Sequence, residues 1–253
     1  MTRVGRSPNI LALALLSLGG AMAVPTSGHS QASQSVPSTL SRVTQMLHHF
    51  SDVMLVHEAV IRGDLPAVRP AALRVAAVGM PAGMPETASS FVADIRRAGQ
   101  RAADAKTLEA AAQATVAMVS GCANCHRAVG TFPSPAMNAP ADVGGIVGHM
   151  TQHRFAADEM LLGLMIPSPS QWHQGADRLR VAPLLPSKFP DDTNLTKQIR
   201  QADVRVHDLA TRATKAETLA DQADIYTQLI ANCAQCHSLH SKVWGPARGG
   251  VRP

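Results

Sequence analysis

All four cysteines of this 253-residue chain lie in two copies of one pentapeptide, and a histidine closes each copy. The copies read Cys122-Ala-Asn-Cys125-His126 and Cys233-Ala-Gln-Cys236-His237. This spacing is compatible with three kinds of chemistry: a thiol–disulfide pair, half of a zinc site, or covalent attachment of a c-type haem. The chain must therefore fold so that two sulfurs and one imidazole of each copy can serve the same chemical purpose.

The sequence around the pentapeptides favours haem. A zinc site needs both cysteine pairs close together, but 108 residues separate Cys125 from Cys233. A redox-active pair needs no histidine after it, and the strand–helix–strand pattern that hosts such pairs is missing. On a helix, Cys122, Cys125 and His126 share one face, so the sulfurs can form thioethers with a porphyrin while the imidazole binds the iron. We expect two haem c groups, with Cys122, Cys125, Cys233 and Cys236 as thioether residues and His126 and His237 as proximal iron ligands.

The two pentapeptides end two copies of a repeated unit. Residues 108–122 match residues 219–233 at a constant offset of 111, and residues 46–49 match residues 150–153 at an offset of 104. The offset changes because the second copy carries extra residues. A repeat of about a hundred residues is long enough for a supersecondary unit with its own haem motif.

Apolar residues recur at helical spacing in both copies, and no alternating strand pattern persists. The pattern predicts helices over residues 38–62, 64–77, 87–105 and 107–128, and again over 143–165, 170–181, 194–213 and 215–239. Short connections favour antiparallel neighbours. We therefore expect an all-α protein of two tandem four-helix bundles, each with a c-type haem attached near the C-terminus of its last helix. The bundles are expected over residues 36–130 and 143–245, with a linker over 131–142.

With this motif at the end of a predicted fourth helix, the sequence resembles the class II c-type cytochromes, the cytochrome c′ family, present as a tandem pair. That family carries Cys-x-x-Cys-His near the carboxyl end of the last helix of a four-helix bundle. Class I cytochromes place the motif early and a methionine ligand well downstream, whereas only sixteen residues follow His237. The resemblance implies covalent haem at Cys122–His126 and Cys233–His237, and a role in electron transfer or gas binding.

A second ligand on the far side of each iron would close the site and favour electron transfer. The first predicted helix of each copy runs antiparallel to the last, so its early residues lie beside the haem motif. His49 and His153 are our candidate distal ligands, and Met46 and Met150, three residues earlier, are the alternatives. A methionine at helical spacing can equally be a core residue, and a histidine beside a haem can contact only its propionates.

The remaining histidines and acids carry no assigned chemistry. Asp52, His57 and Glu58 are spaced on the first helix like a solvated face, and Asp158, Glu159 and Trp172 replace them in the second copy. This difference predicts that the two haems have different potentials. Surface or haem-edge positions are expected for five further histidines: His48, His149, His173, His207 and His240.

The amino terminus has the pattern of a secretory signal. Arg3 and Arg6 precede an apolar run over residues 10–18, and Ala21-Met22-Ala23 offers a small-x-small cleavage site. The expected signal peptide spans residues 1–23, or alternatively 1–32, and the mature chain is expected in the periplasm. The apolar run is shorter than the ~20 residues that a membrane span needs, so no stable span is expected.

Net charge does not indicate a nucleic-acid ligand. The whole chain carries a formal charge of +5, and its basic residues are scattered without interleaved aromatics. The expected partners are other periplasmic redox proteins, and the sequence predicts no particular oligomeric state. The leading function is a dihaem electron carrier rather than an enzyme. The alternatives are a gas-binding (NO or CO) cytochrome c′-type protein and a haem-dependent oxidoreductase with one open iron site.

Overall fold

Every regular element in the described part of the chain is helical. The computed structural model describes residues 36–133, 137–141, 143–181 and 193–244. Its α-helices are α1 (Val36–Ile61), α2 (Leu65–Ala76), α3 (Ser89–Asp104), α4 (Leu108–Val129), α5 (Gly145–Met165), α6 (Pro169–Leu179), α7 (Asn194–Ala213) and α8 (Leu219–Trp244). A single 3-10 turn, Glu86–Ala88, precedes α3. The predicted all-α class is confirmed. The predicted signal segment, residues 1–23 or 1–32, lies outside the described residues.

Local capping explains where several helices begin and end. The Thr107 hydroxyl accepts a hydrogen bond from the N–H of Ala110 at the start of α4, as N-cap threonines do. Gly130, at φ 66°, ends the same helix in the left-handed conformation that glycine adopts at little cost. α4 therefore stops three residues after His126, with the first pentapeptide in its last two turns.

The predicted boundaries of the last helix are wrong at both ends. We expected residues 215–239, but α8 is Leu219–Trp244. Thr214 and Lys215 belong to the turn after α7, and the Thr218 hydroxyl accepts a hydrogen bond from the N–H of Asp221 at 3.1 Å. A threonine in that position is an N-cap, so the helix begins immediately after it.

Helices α1 to α4 pack against one another in chain order, as do α5 to α8. We call these sets the first and second halves. The halves also contact each other: α4 lies against α5 and α8, and α1 lies against α8. One cluster of buried apolar residues runs through both halves, which belong to one compact unit. The two pentapeptides therefore lie on two helices, α4 and α8, that pack against each other.

Small residues allow the closest helix contacts. A Cβ at Gly163 on α5 would lie 2.4 Å from the backbone nitrogen of Trp172 on α6, a distance that real atoms do not adopt. Trp172 is fully buried, and its indole N–H donates to the Ala213 carbonyl at the end of α7. Gly163 thus brings α6 close enough for one side chain to connect α5, α6 and α7.

No helix in the described ranges is long and apolar enough to cross a membrane.

Candidate haem-binding sites

The first pentapeptide lies on the inner side of α4. Cys125 is buried, and Cys122 and His126 are half-buried. Burial, with a smaller contribution from the neighbouring Cys125, raises the pKa of the Cys122 thiol to about 12. Burial also raises the pKa of Cys125. Both sulfurs are therefore neutral thiols at neutral pH, unlike the thiolates of zinc sites and redox-active pairs.

A small cavity of about 40 Å³ lies beside this pentapeptide. Its lining combines the motif on α4 with residues of α1, α2, α3 and the loop before α3. The lining residues are Met46, His49, Val53, Val75, Val78, Pro81, Met84, Val92, Ile95, Cys122, Cys125 and His126. The structure thus brings both candidate distal residues of the first half, Met46 and His49, to the same cavity as the motif.

The two histidines of this cavity are held in the form that binds iron. Burial lowers the pKa of His126, and burial also lowers that of His49, partly opposed by the Asp52 carboxylate. A neutral imidazole has a free nitrogen lone pair, which is the metal-binding form. The rest of the lining is apolar except for the sulfurs, so these two imidazoles are the nitrogen donors of a low-polarity cavity.

The second pentapeptide lies on α8, close to the end of α1. Burial raises the pKa of Cys233 to about 12 and that of Cys236 to about 11. Burial lowers the pKa of His237, helped by the charges of His240, Arg62 and Arg154. Gly63, just after α1, comes so near that a Cβ there would lie 2.8 Å from the Ala234 carbonyl oxygen. A residue of the first half therefore packs directly against the second pentapeptide.

The surroundings of the second motif are polar, and Asp203 is the member of them that the sequence did not single out. His149 and His153 on α5 and Asp203 and His207 on α7 form one cluster, in which the possible metal-binding atoms lie within 4.8 Å of one another. The rings of His149 and His153 are 4.0 Å apart, and those of His153 and His207 are 4.9 Å apart, between centroids. Met150, the alternative distal ligand, is half-buried on α5 beside His149.

Charge interactions place this cluster beside the motif. Burial lowers the pKa of His153 to about 3, with smaller contributions from His149, His207 and His237. The Asp203 carboxylate contributes, after burial, to the raised pKa of Cys236. A surface position is wrong for His207, which is buried. The missed signal is the i, i+4 spacing of His149 and His153, and of Asp203 and His207, which places each pair on one helix face.

The assignment of His57 to a solvated face is also wrong. His57 is fully buried, because α5 and α8 of the second half cover that side of α1. Its Nε2 lies 2.7 Å from the Tyr226 hydroxyl on α8, and that hydroxyl donates to the Ala157 carbonyl on α5 at 2.7 Å. The His57 Nδ1 faces Asp158 at 3.5 Å. This network joins the two halves.

The two acids expected beside His57 lie nearer to solvent. Asp52 pairs with Arg74 of α2 at 2.6 Å, and Glu58 pairs with Arg154 of α5. Both are partly exposed.

Comparisons with known proteins add no relative. No family model matches the chain, and no curated protein or solved structure matches it. The features that point to function are the two pentapeptides, the cavity and cluster beside them, and the α4–α8 contact that brings the halves together.

Proposed function

We propose that this protein is a periplasmic dihaem c-type cytochrome that carries single electrons between redox proteins, built as two tandem four-helix bundles. One observation carries the proposal. Residues separated by some eighty positions in the chain, Met46 and His49 on one side and Cys122 to His126 on the other, line the same apolar cavity. Those are the residues that covalent attachment and iron ligation require, and they meet in one place.

In the first half, Cys122 and Cys125 would hold the porphyrin through thioethers, and His126 would bind its iron. His49 is our candidate for the opposite face of the iron, with Met46 as the alternative. The haem would supply a metal that changes its charge by one unit without forming new bonds. Val53, Val75 and Val92 line the cavity, and their side chains exclude water from the iron.

In the second half, Cys233, Cys236 and His237 take the corresponding roles. His153 and Met150 are the candidate distal residues at the positions that match His49 and Met46. The four thiols fit attachment better than the alternatives, because all four are free and their pKa values are raised. A catalytic disulfide exchanger needs the opposite shift, toward thiolate.

Gas binding is a second candidate function, favoured by the apolar lining of the first cavity. An iron with no distal ligand and only Val53, Val92 and Ile95 nearby would accept a small neutral gas. In that case His49 would border the haem without binding it.

Mass spectrometry and optical spectra of the protein, expressed with the c-type haem maturation system, test the proposal. We expect a mass above that of the mature polypeptide by two haem groups, and low-spin spectra of the reduced protein that carbon monoxide leaves unchanged. Replacing Cys122 and Cys125 by alanine should remove one haem, and replacing Cys233 and Cys236 is the matched variant for the other.

A colourless protein whose mass equals the bare polypeptide would overturn the proposal. A full carbon monoxide shift at both irons would instead favour gas binding. A shift at one iron only would favour an oxidoreductase with one open site.

A further inference from the structure

Three imidazoles and one carboxylate converge between α5 and α7. His149 and His153 are four residues apart on α5, and Asp203 and His207 are four residues apart on α7, so each pair lies on one helix face. The Asp203 Oδ1 lies 3.5 Å from the His149 Nε2 and 3.8 Å from the His207 Nε2. One potential metal-binding atom from each of the four residues lies within 4.8 Å of the others.

A backbone carbonyl fixes the orientation of His207. Its Nδ1 lies 2.7 Å from the Leu179 carbonyl oxygen at the end of α6. A carbonyl oxygen can only accept, so Nδ1 must carry the proton and the Nε2 lone pair of the neutral ring is left toward the cluster. Metal-binding histidines are commonly held in this way, with the second ring nitrogen donating to a carbonyl.

The nitrogens that face the cluster lack hydrogen bonds. The Nε2 atoms of His149, His153 and His207 are all buried, and none has a hydrogen-bond partner among the residues described. The His207 side chain is only 8% exposed. A buried polar atom without a partner is unfavourable, and a single cation would satisfy all three nitrogens around this point.

We propose that His149, His153, Asp203 and His207 bind one divalent transition-metal ion, for which Zn²⁺ is the natural probe. Three imidazole nitrogens and one carboxylate oxygen are donors that suit Zn²⁺ and Cu²⁺, whereas Mg²⁺ and Ca²⁺ prefer oxygen alone. Zinc bonds of about 2.0–2.1 Å place tetrahedral ligand atoms roughly 3.3 Å apart. Small side-chain rotations would therefore close the cluster onto the ion.

The site is distinct from the haem irons of the proposed function. It uses His153, which is also the candidate distal ligand of the second haem. One Nε2 atom binds one metal, so a histidine that holds this ion does not bind the second haem iron. The first half has no counterpart, because Gln45 stands at the position that matches His149. The ion would lie beside the second motif only, where Asp203 already affects the pKa of Cys236.

Metal counting on the untagged, mature holoprotein tests this inference. The protein is stripped with a chelator, its accessible thiols are alkylated, and it is dialysed against Zn²⁺ before zinc and iron are measured by mass spectrometry. We expect one tightly bound zinc per chain. His149→Ala and Asp203→Asn should each weaken Zn²⁺ binding at least ~10-fold, since each removes a ligand. His173→Ala, a half-buried histidine of α6 outside the cluster, should leave it unchanged.

Absence of bound zinc in the folded wild-type chain would overturn the inference, as would equal affinity in the wild type and both cluster variants. Circular dichroism on each variant identifies any that fails to fold, and the other variant then decides the outcome. Iron and zinc are counted in the same sample. Zinc without iron would refute only the haem proposal, and iron without zinc would refute only the zinc site.

Discussion

At the residue scale, the network around His57 has a defined arrangement of protons. The Ala157 carbonyl can only accept, so the Tyr226 hydroxyl donates to it. The phenol proton is then used, and the His57 Nε2 must donate to the phenol oxygen across 2.7 Å. A neutral His57 in this tautomer has a bare Nδ1 facing Asp158 at 3.5 Å. Burial raises the pKa of Asp158, and its ion pair with Arg154 opposes that shift.

Acid should destabilise the protein through His57. Burial, with the positive charge of Arg154, lowers the pKa of His57 to about 3 from an ordinary value of 6.5. Between these two values the unfolded chain binds a proton that the folded chain does not. Stability contributed by this group is therefore complete above pH 6.5 and lost as the pH falls toward 3, at up to about 1.4 kcal/mol per pH unit.

The comparison of His57→Gln with the wild type measures this effect, because glutamine can still donate to Tyr226 and does not titrate. Denaturant unfolding between pH 4 and 6 should show a free energy that falls less steeply with acid in the variant. Asp158, with its raised pKa, acts in the opposite sense in both chains, and Glu58 and Arg154 remain in place. The quantity to test is therefore the difference between the variant and the wild type in how steeply the free energy of unfolding falls with acid. His48→Gln, at an exposed position, is the control, and parallel pH profiles for His57→Gln and wild type would contradict the prediction.

The sequence held a signal for this network that periodicity on α1 could not reveal. In the repeat, Tyr226 stands where the first half has Thr115, and both are fully buried. The Thr115 hydroxyl donates to its own helix, to the Ala111 carbonyl at 2.8 Å, whereas Tyr226 reaches out to α1 and α5. The replacement of a small buried threonine by a tyrosine indicates that the longer side chain contacts another helix. It does not indicate which residue the tyrosine contacts.

At the scale of the helices, close approach at glycine determines how α5 and α6 cross. Gly163→Ala should destabilise the protein by about 1–3 kcal/mol, because the added methyl group would overlap the Trp172 backbone rather than a movable side chain. Denaturant unfolding measures the loss. Gly79→Ala is the matched control, since a Cβ there meets nothing within 4 Å. Equal stability of the two variants would show that the α5–α6 crossing tolerates a wider separation.

Helix positions were largely predictable, because each helix has its own local signals. The predicted helix over 194–213 agrees with α7 as observed, where Thr193 and Thr196 form a reciprocal capping box. The end of α4 follows from Gly130. The start of α3 differed because Glu86–Ala88 takes the tighter 3-10 turn. α8 differed because an N-cap, Thr218, lies inside a stretch that periodicity alone treats as helix.

At the scale of the whole molecule, the two proposed haem sites have unlike surroundings. The first cavity has mainly apolar walls, whereas the second motif borders the histidines and the Asp203 carboxylate. A low-polarity environment disfavours the extra positive charge of ferric iron, and a carboxylate favours it. We therefore expect two one-electron waves in a redox titration with chelator present, with the first site at the higher potential.

The Asp203→Asn variant shows which redox wave belongs to which haem. Removing the carboxylate should raise the lower potential and leave the higher one in place. Two coincident waves would contradict the prediction, and a shift of the upper wave in this variant would contradict the assignment.

The duplication was visible in the sequence, but the way its products join was not. A repeat indicates similar units, but not which of their helices meet, and here α4 lies against α8. The extra histidines beside the second motif belong to the divergence between the copies. The positions of these residues on α5 and α7 could be predicted from the sequence. The contact between the two helix faces could not, because it depends on tertiary packing.

The position of α8 has a consequence for how the chain reaches its final form. This helix is synthesised after the other seven described helices, yet it covers His57 on α1 and carries the backbone that Gly63 contacts. The helices that precede α8 therefore expose part of their interior until α8 has been made. A protease or chaperone meeting the nascent chain would encounter that unfinished surface, and truncation near the carboxyl terminus would harm residues far upstream.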